Sequence, residues 1–512
     1  MKKINKEWLP HLNKDVMNEA GDHELDAYII ALEGWRRGLT LNFHEKNESP
    51  FDEIKTWFVD KPGKLFSLSS ETRTHYFFRT RGDKVSNEAT EIGMNKQLTK
   101  EYLQKANVPV VTGHRFNLAI EKEKLIRLAE DIGYPVAVKP LDGSFGRGVH
   151  LDINNERDLM EAVCNLRSSN EGEDCLIEPY FSAEDIRAYV VGDQVVGAIK
   201  RIPANIVGDG YSSIKKLIQR KNELRKENPR LASCLIKIDA KLETFIKKQG
   251  YTLLTIPPEN KTIFLSDLNN ISAGGDSIDV LDELNHSIKD VAVNAIQAVP
   301  NLYHSAVDLL VESSGQAHVL ELNPTAQIGS IVFPMYGKPC DVPKAIIDDY
   351  FPETVNDTEK SSMYFDFQRT LEPIRQNRVN KVTVPSPLKG NLYGKQYIIS
   401  NVDFNKEKLK RVRDFVFKYE LSGYLVEHKR KNSEVVIVGQ DKEIVTTFDQ
   451  VILNRISGGN ESNVEVREWS SPVKVGFEIH SKKQNRKQFL KRSLKKIVPL
   501  VYSVRLIKKF KQ

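Results

Sequence analysis

The chain has 512 residues, 40% of them hydrophobic and 28% charged, which fits a folded protein of roughly three or four domains and excludes a disordered one. No apolar run approaches the roughly 18 residues of a membrane-spanning helix, and no apolar stretch follows the basic start MKKINKEWLPHLNKD, so neither a span nor a secretory signal is expected. Net charge is +6, but residues 481–512 hold twelve Lys or Arg and no acid, which leaves the preceding 480 residues at −6. An acidic body with a basic tail points away from nucleic acid as the partner of the folded part. The four cysteines (Cys164, Cys175, Cys234, Cys340) form no CxxC pair, so neither a zinc site nor a disulfide framework is read, and a reducing cytoplasm is expected.

In chain order, residues 26–38 space their apolar positions as a helix and stop at a glycine. LTLNF and HYFFRTRG alternate as strands, so residues 1–87 are predicted to form a small N-terminal α/β lobe. A helix is predicted over 96–106, then a strand carrying PVV. YPVAVKP and GVHLDI read as strands on either side of a glycine-rich loop. DIRAYVVGDQVVGAIKR alternates on both sides of Gly192-Asp193, a hairpin signal. SAVDLLVE and AHVLELN are two further strands. Beyond residue 375, KVTVPSP, QYIISNV, SEVVIVG and VKVGFEI read as strands, with EKLKRVRDFVFKYEL as a helix between them. An α+β domain is therefore expected over 375–480, followed by the tail 481–512.

Four segments carry chemistry. Lys139 stands before a loop with Gly143, Ser144, Gly146 and Gly148. Glycines let backbone N–H groups approach an anion, and the lysine adds charge, which suits a phosphate cradle; a plain turn is the alternative. Second, Glu321 and Asn323 are two apart on one strand and share a face. If Ser314-Gly315 is a two-residue turn, Asp308 lies opposite Glu321. Two opposed carboxylates repel unless a cation sits between them, and hard oxygen ligands suit Mg²⁺. A solvated acidic pair is the alternative, against which the apolar flanks argue. Third, Glu178, Pro179 and Tyr180 end an apolar strand before Asp185, where backbone groups could meet a purine and a carboxylate a ribose. Fourth, Lys200-Arg201 precedes a loop bounded by Gly208 and Gly210 that could clamp phosphate or carboxylate.

In this order and spacing the segments resemble an ATP-grasp ligase, closest to the ATP-grasp module of cyanophycin synthetases and bifunctional glutathione synthetases. The resemblance rests on TEIGMNKQLTKEYLQKANVPVV, GYPVAVKPLDGSFGRGVHLDI, LIEPYFSAEDIRAYVVGDQVVGAIKRIPANIVGDGYSSIKKLI, NNISAGGDSIDVLDELNHSIKDVA and SAVDLLVE…HVLELNPTAQI. It implies an ATP-grasp fold over 88–352, two α+β subdomains clasping ATP. It implies Lys96 and Lys139 at the ATP phosphates, the loop Gly143–Gly148 over them, and Glu178–Tyr180 beside adenine. It further implies Asp185 at the ribose, Asp308, Glu321 and Asn323 on Mg²⁺ (two ions, replaceable by Mn²⁺), and Arg201 near the reacting phosphate. Asn270, Ser272, Gly274 and Gly275 then lie near the second substrate. The implied reaction joins a carboxylate and an amine, on an amino acid or peptide, through an acyl phosphate. A nucleotide-binding regulatory or scaffold protein with an inactive core, and a kinase-like reaction, stay open at this point, as does oligomeric state.

Two departures from the family pattern stand out. Leu265-Ser266 replaces the usual Leu-Arg, and no Mur-ligase-like segment is read, so polymer synthesis by alternating ligase sites is not expected. The C-terminal region resembles acylphosphatase, a ferredoxin-like fold, with Glu427 at the position of the catalytic asparagine. An inactive copy is expected, since a carboxylate repels an acyl phosphate. In the tail, Phe489, Leu490, Leu494, Ile497, Val498, Leu500, Val501 and Val504 interleave with basic residues. That composition suits an amphipathic helix on an anionic membrane; a solvated extension or an acidic polymer are the alternatives.

Overall fold

A computed structural model describes residues 8–480 apart from 22–23, 58, 60, 142–147, 169–173, 182, 357–359, 429–431 and 458–462. Described residues up to 384, except 36–38 and 360–366, cluster in one unit; those two segments cluster with the residues from 385 on in a second. No described helix is long and apolar enough to cross a membrane.

After the short helical turns Pro10–Leu12 and Lys14–Met17 comes the helix Leu25–Arg36, in which Tyr28, Ile30, Leu32 and Trp35 are fully buried. A helix apolar on most sides must be covered on most sides. Strands β1 (Thr40–His44), β2 (Leu65–Ser69), β3 (Thr74–Phe78) and β4 (Arg81–Gly82) follow as an antiparallel run. Next, Asn95 accepts hydrogen bonds from the Gln97 and Leu98 amides and so starts the helix Lys96–Lys105, placing Lys96 in its first turn. The segment after it, expected as a strand, makes only a single bridge, Val110 to Val319.

Strands β5 (His114–Asn117), β6 (Val136–Pro140), β7 (His150–Ile153) and β8 (Asp174–Pro179) form one sheet in the order β5–β8–β6–β7. The helices Lys122–Ile132 and Glu156–Ser168 pack on it through Leu125, Ala129, Leu159, Val163 and Leu166. Only residues 180–182 separate β8 from β9 (Ala183–Val191), which pairs with β10 (Gln194–Ile202) across Gly192-Asp193. After the short pair β11 (Asn205–Val207) and β12 (Thr262–Phe264), three strands complete a second antiparallel sheet: β13 (Asp276–Asp279), β14 (His304–Glu312) and β15 (Ala317–Asn323). Its order is β13–β10–β9–β14–β15.

One face of that sheet is apolar. Ile186, Ala188, Val190, Val307, Leu309 and Leu322 join Ile288, Ala292 and Ile296 of the helix His286–Gln297 in one core. Because alternate side chains of a strand point oppositely, the intervening residues line the other face. At one end of that face His304 lies fully buried between the hydroxyls of Tyr189 (3.0 Å) and Tyr350 (3.1 Å). Burial holds its imidazole down to about 4, against an ordinary 6.5. The unfolded chain therefore binds that proton first, and stability falls as pH drops from about 6.5 toward 4, by up to about 3 kcal/mol. His304→Gln is expected to flatten that acid limb in urea titrations taken at successive pH values; an unchanged limb would contradict the burial argument.

Strand β16 (Lys381–Thr383) returns to pair with β1, Phe43 opposite Val382. KVTVPSP was expected in the C-terminal domain; the structure instead assigns it to the N-terminal sheet, and the C-terminal domain starts near 385 instead of 375. Strand propensity specifies an extended segment but not its partner.

The second unit runs β17 (Tyr393–Ile399), the helix Lys406–Lys418, β18 (Ser422–Glu427), β19 (Ser433–Gly439), the helix Lys442–Gln450, β20 (Val464–Glu468) and β21 (Phe477–His480). Spatial order is β20–β17–β19–β18–β21, a split βαβ arrangement with a fifth strand parallel to β18. Tyr397, Val412, Leu425, Val435, Ile437 and Phe448 form its core.

Candidate functional site

Asp308 stands at the centre of the polar face. Register pairs it with Arg187 on β9 and Glu321 on β15. Near the turn the hairpin pairs Leu310 with His318, one residue off the register of a two-residue turn; the extra residue Leu320 bulges and restores Asp308 opposite Glu321. Arg187 Nε and Nη2 donate to the two Asp308 oxygens at 2.7 and 2.8 Å, a bidentate pair, and Arg201 Nη1 approaches Asp308 Oδ2 at 3.0 Å. Arg201 Nε also donates to Asp185 Oδ1 at 2.7 Å.

Asp308 is only 1% exposed. Burial pushes its carboxyl up, but Arg187 and Arg201 outweigh that and hold it well below the usual carboxylate range. Glu321 moves the other way, raised by burial and by the negative charge of Asp308. Asn323 lies two residues further along the same face. Two carboxylates and an amide oxygen form a hard donor set, and two like charges opposed across a hairpin are where a divalent cation fits.

Glu178, near the end of β8, is buried between two ammonium groups. Lys139 Nζ lies 2.6 Å from its Oε2, and Lys100 Nζ pairs with its Oε1. Burial pushes the Glu178 carboxyl up, yet the two lysines hold it below its ordinary value, while burial lowers Lys100. Lys96 Nζ donates to the Leu141 carbonyl at 3.1 Å, so three lysines gather where the 142–147 loop begins. Of that loop's expected residues, Gly143, Ser144 and Gly146 lie outside the described residues; Gly148 adopts φ +67, which favours glycine. The backbone of Glu178 is paired into the sheet opposite Ala137, and the Tyr180 amide donates to the Pro135 carbonyl at 2.9 Å.

Residues 93–244 match the RimK-like ATP-grasp domain. This chain carries an ATP-grasp domain. The chain is 29% identical over 361 residues to the glutathione biosynthesis bifunctional protein GshAB of Clostridium perfringens, covering 68% of this chain and 44% of that protein. It is 30% identical over 307 residues to the cyanophycin synthetase of Geminocystis herdmanii, covering 58% of this chain and 35% of that protein. It therefore spans less than half the length of these curated relatives. Among solved structures, the bifunctional glutathione synthetase from Pasteurella multocida aligns with TM-score 0.44 and 26% identity over 57% of this chain and 40% of that one.

The structure brings Asp308, Glu321, Arg201 and Asp185 together on one face of one sheet, and Lys139 with Glu178 in the sheet β5–β8–β6–β7. Asp185, expected at a ribose, pairs with Arg201, since both side chains face the polar side. Glu178, on the strand expected beside adenine, pairs its side chain with Lys100 and Lys139. Lys100 and Arg187 were missed, although spacing carried a signal for both: Lys100 is four residues after Lys96 on one helix face, and Arg187 is two after Asp185 on one strand face.

The loop 270–275 is fixed from beneath. Arg225, fully buried, donates to the Gly275 carbonyl (3.0 Å) and to Asp276 Oδ1 (3.0 Å), and Lys221 Nζ lies 2.6 Å from Asp276 Oδ2. A Cβ on Gly275 would lie 2.7 Å from the Ile202 carbonyl oxygen, so only glycine lets the loop sit this close to β10.

Proposed function

We propose that this chain is an ATP- and Mg²⁺-dependent carboxylate–amine ligase that forms an amide through an acyl phosphate. The observation that carries the reading is the buried Asp308–Glu321 pair, opposed across a hairpin and bracketed by Arg187 and Arg201. Asp308, Glu321 and Asn323 would hold the cation, which supplies positive charge to the phosphates of ATP. In the reaction a substrate carboxylate oxygen attacks the γ-phosphorus, the bond to the β-phosphate oxygen breaks and ADP leaves. An amine then attacks the acyl carbon and inorganic phosphate departs. Lys96 and Lys139 would screen the phosphates of ATP, and Arg201, on the same face as Asp308, would meet the transferring group. No side-chain nucleophile takes part. The substrate class, an amino acid or peptide, rests on the relatives' printed names. Incubating the full chain with ATP, Mg²⁺ and cell extract, then reading products by mass spectrometry, tests the reading: an amide product with stoichiometric ADP is expected, and ADP-free reactions with every fraction refute it.

The second unit is read as an acylphosphatase-like accessory domain without hydrolase activity. The loop 400–405 between β17 and its helix carries no Lys or Arg to hold a phosphate, and β18 ends at Glu427. The tail, outside the described residues, is read as a peripheral anchor on an anionic membrane facing the cytoplasm, each basic residue contributing about 1 kcal/mol near such a surface. Full-length protein is expected to float with phosphatidylserine liposomes and a chain ending at His480 to sink; equal flotation would end the anchor reading.

A further inference from the structure

We propose that Arg79 and Arg230 form a carboxylate anchor that seats one end of the substrate beside the Asp308–Glu321 pair. It deepens the ligase reading and rests on it.

Phe78 pairs with Arg81, so Arg79-Thr80 is a two-residue hairpin tip. The first residue of such a tip with φ > 0 is ordinarily Gly, Asn or Asp. Here it is arginine at φ +59. Eight described non-glycine residues have left-handed φ; five are asparagine and one is aspartate. Arg79 therefore occupies a backbone position that its side chain disfavours, which marks a residue kept for what its side chain does.

The tip sits on the loop that continues β15. Thr80 Oγ1 donates to the Ala326 carbonyl at 3.0 Å. In the same place Asp26 Oδ1 accepts the Ile328 and Gly329 amides, each at 3.0 Å. Arg230 lays its stem there as well: a Cβ on Gly329 would lie 3.0 Å from Arg230 Cδ. Its Nη2 reaches Gln327 Oε1 (2.7 Å) and Ser272 Oγ (3.1 Å). Ser272 belongs to the loop held by Arg225, and Gln327 lies four residues after Asn323.

Two donors are left over. Among the described residues, Arg79 Nε and Arg230 Nε are buried and have no hydrogen-bond partner. Buried N–H groups are almost always paired, and a guanidinium is built to grip a carboxylate. Charge gives the same answer. Burial pushes the Asp26 carboxyl up while Arg79 and Arg230 pull it down, so both guanidiniums lie within electrostatic reach of that one acid. Burial is the larger effect and the Asp26 carboxyl is raised on balance, so a carboxylate from outside complements the two guanidiniums. The ligand class is thus a free amino acid or a peptide presenting its carboxylate, with Ser272 and Gln327 as neutral partners.

The test is calorimetric titration of the full chain with the twenty standard amino acids and with dipeptides of glycine and each of them, every probe as free acid and as amide. At least one free acid is expected to bind, with its amide at least ~10-fold weaker, since a site built for a group rejects the analogue lacking it. Arg79→Asn, which suits the left-handed backbone, is expected to erase that difference, and Arg79→Lys to keep part of it. The anchor is overturned if no free acid binds, if acid and amide bind alike, or if Arg79→Asn still discriminates. Mg-ATP titrated into the same samples separates the two readings. Wild-type protein that binds Mg-ATP but no acid sinks the anchor alone, and failure to bind Mg-ATP sinks the nucleotide site, whatever the acids do.

Discussion

Asp308→Asn is expected to lower ATP-dependent ADP formation by roughly 10²–10³-fold, the size of effect seen when one preorganised charge at a reacting phosphate or oxyanion is lost. The substitution keeps shape and removes only the negative charge. Arg201 still has Asp185 at 2.6 Å, so the polar face keeps its second ion pair. Glu321, relieved of the like charge opposite, then ionises more readily, because Asp308 is second only to burial in raising it. A coupled assay for ADP reads the first effect, and circular dichroism with urea titration checks that the fold survives. ADP formation within a few-fold of wild type would remove Asp308 from the reaction. Chelating divalent cations from wild-type protein is expected to stop ADP formation in the same assay.

Glu178→Gln should produce the largest stability change. Its carboxylate is 4% exposed and balances two ammonium groups that are themselves 9% and 11% exposed. Removing one side of a buried ion cluster strands the other charges, at a cost of about 3–5 kcal/mol. The pH dependence distinguishes this from simple misfolding. Burial and Lys139 already lower Lys100, and the variant loses the charge that opposed them. The unfolded chain then binds more protons than the folded one, so stability of the variant rises as pH climbs toward the ordinary lysine value of 10.5. In wild type Lys100 is already lowered, so a shallower alkaline limb is present there too, while Glu178, held below its ordinary 4.5, adds a contribution that is present above that value and is lost as pH falls through the folded one. Urea titrations at successive pH values check both limbs. A variant as stable as wild type, or one insensitive to alkaline pH, would show that the lysines do not depend on Glu178.

Much of this arrangement was legible from residue order alone. Alternation in DIRAYVV and SAVDLLVE specified two strands with one apolar and one polar face, because a strand's period is two whatever it packs against. The opposition of Asp308 and Glu321 was also legible, though by a route the protein does not take: the turn is a residue longer than a two-residue hairpin, and the bulge at Leu320 cancels the slip. Roles were harder to read than positions. Asp185 and Glu178 are acids at expected places, but which cation each one meets is set by side chains from other strands and helices, Arg201 and Lys100 among them.

What residue order determined, then, was local: element type, the face each residue takes, and a basic tail set apart from an acidic body. Tertiary structure decided partnership. It sent Lys381–Thr383 back across more than 300 residues to β1, and it set Thr80, at a hairpin tip in the first hundred residues, on the Ala326 carbonyl, with the stem of Arg230 against Gly329 nearby. Such contacts join segments whose local patterns hold no information about each other. They form because burying apolar faces brings whatever lies at the edges of the packed elements together, charges included.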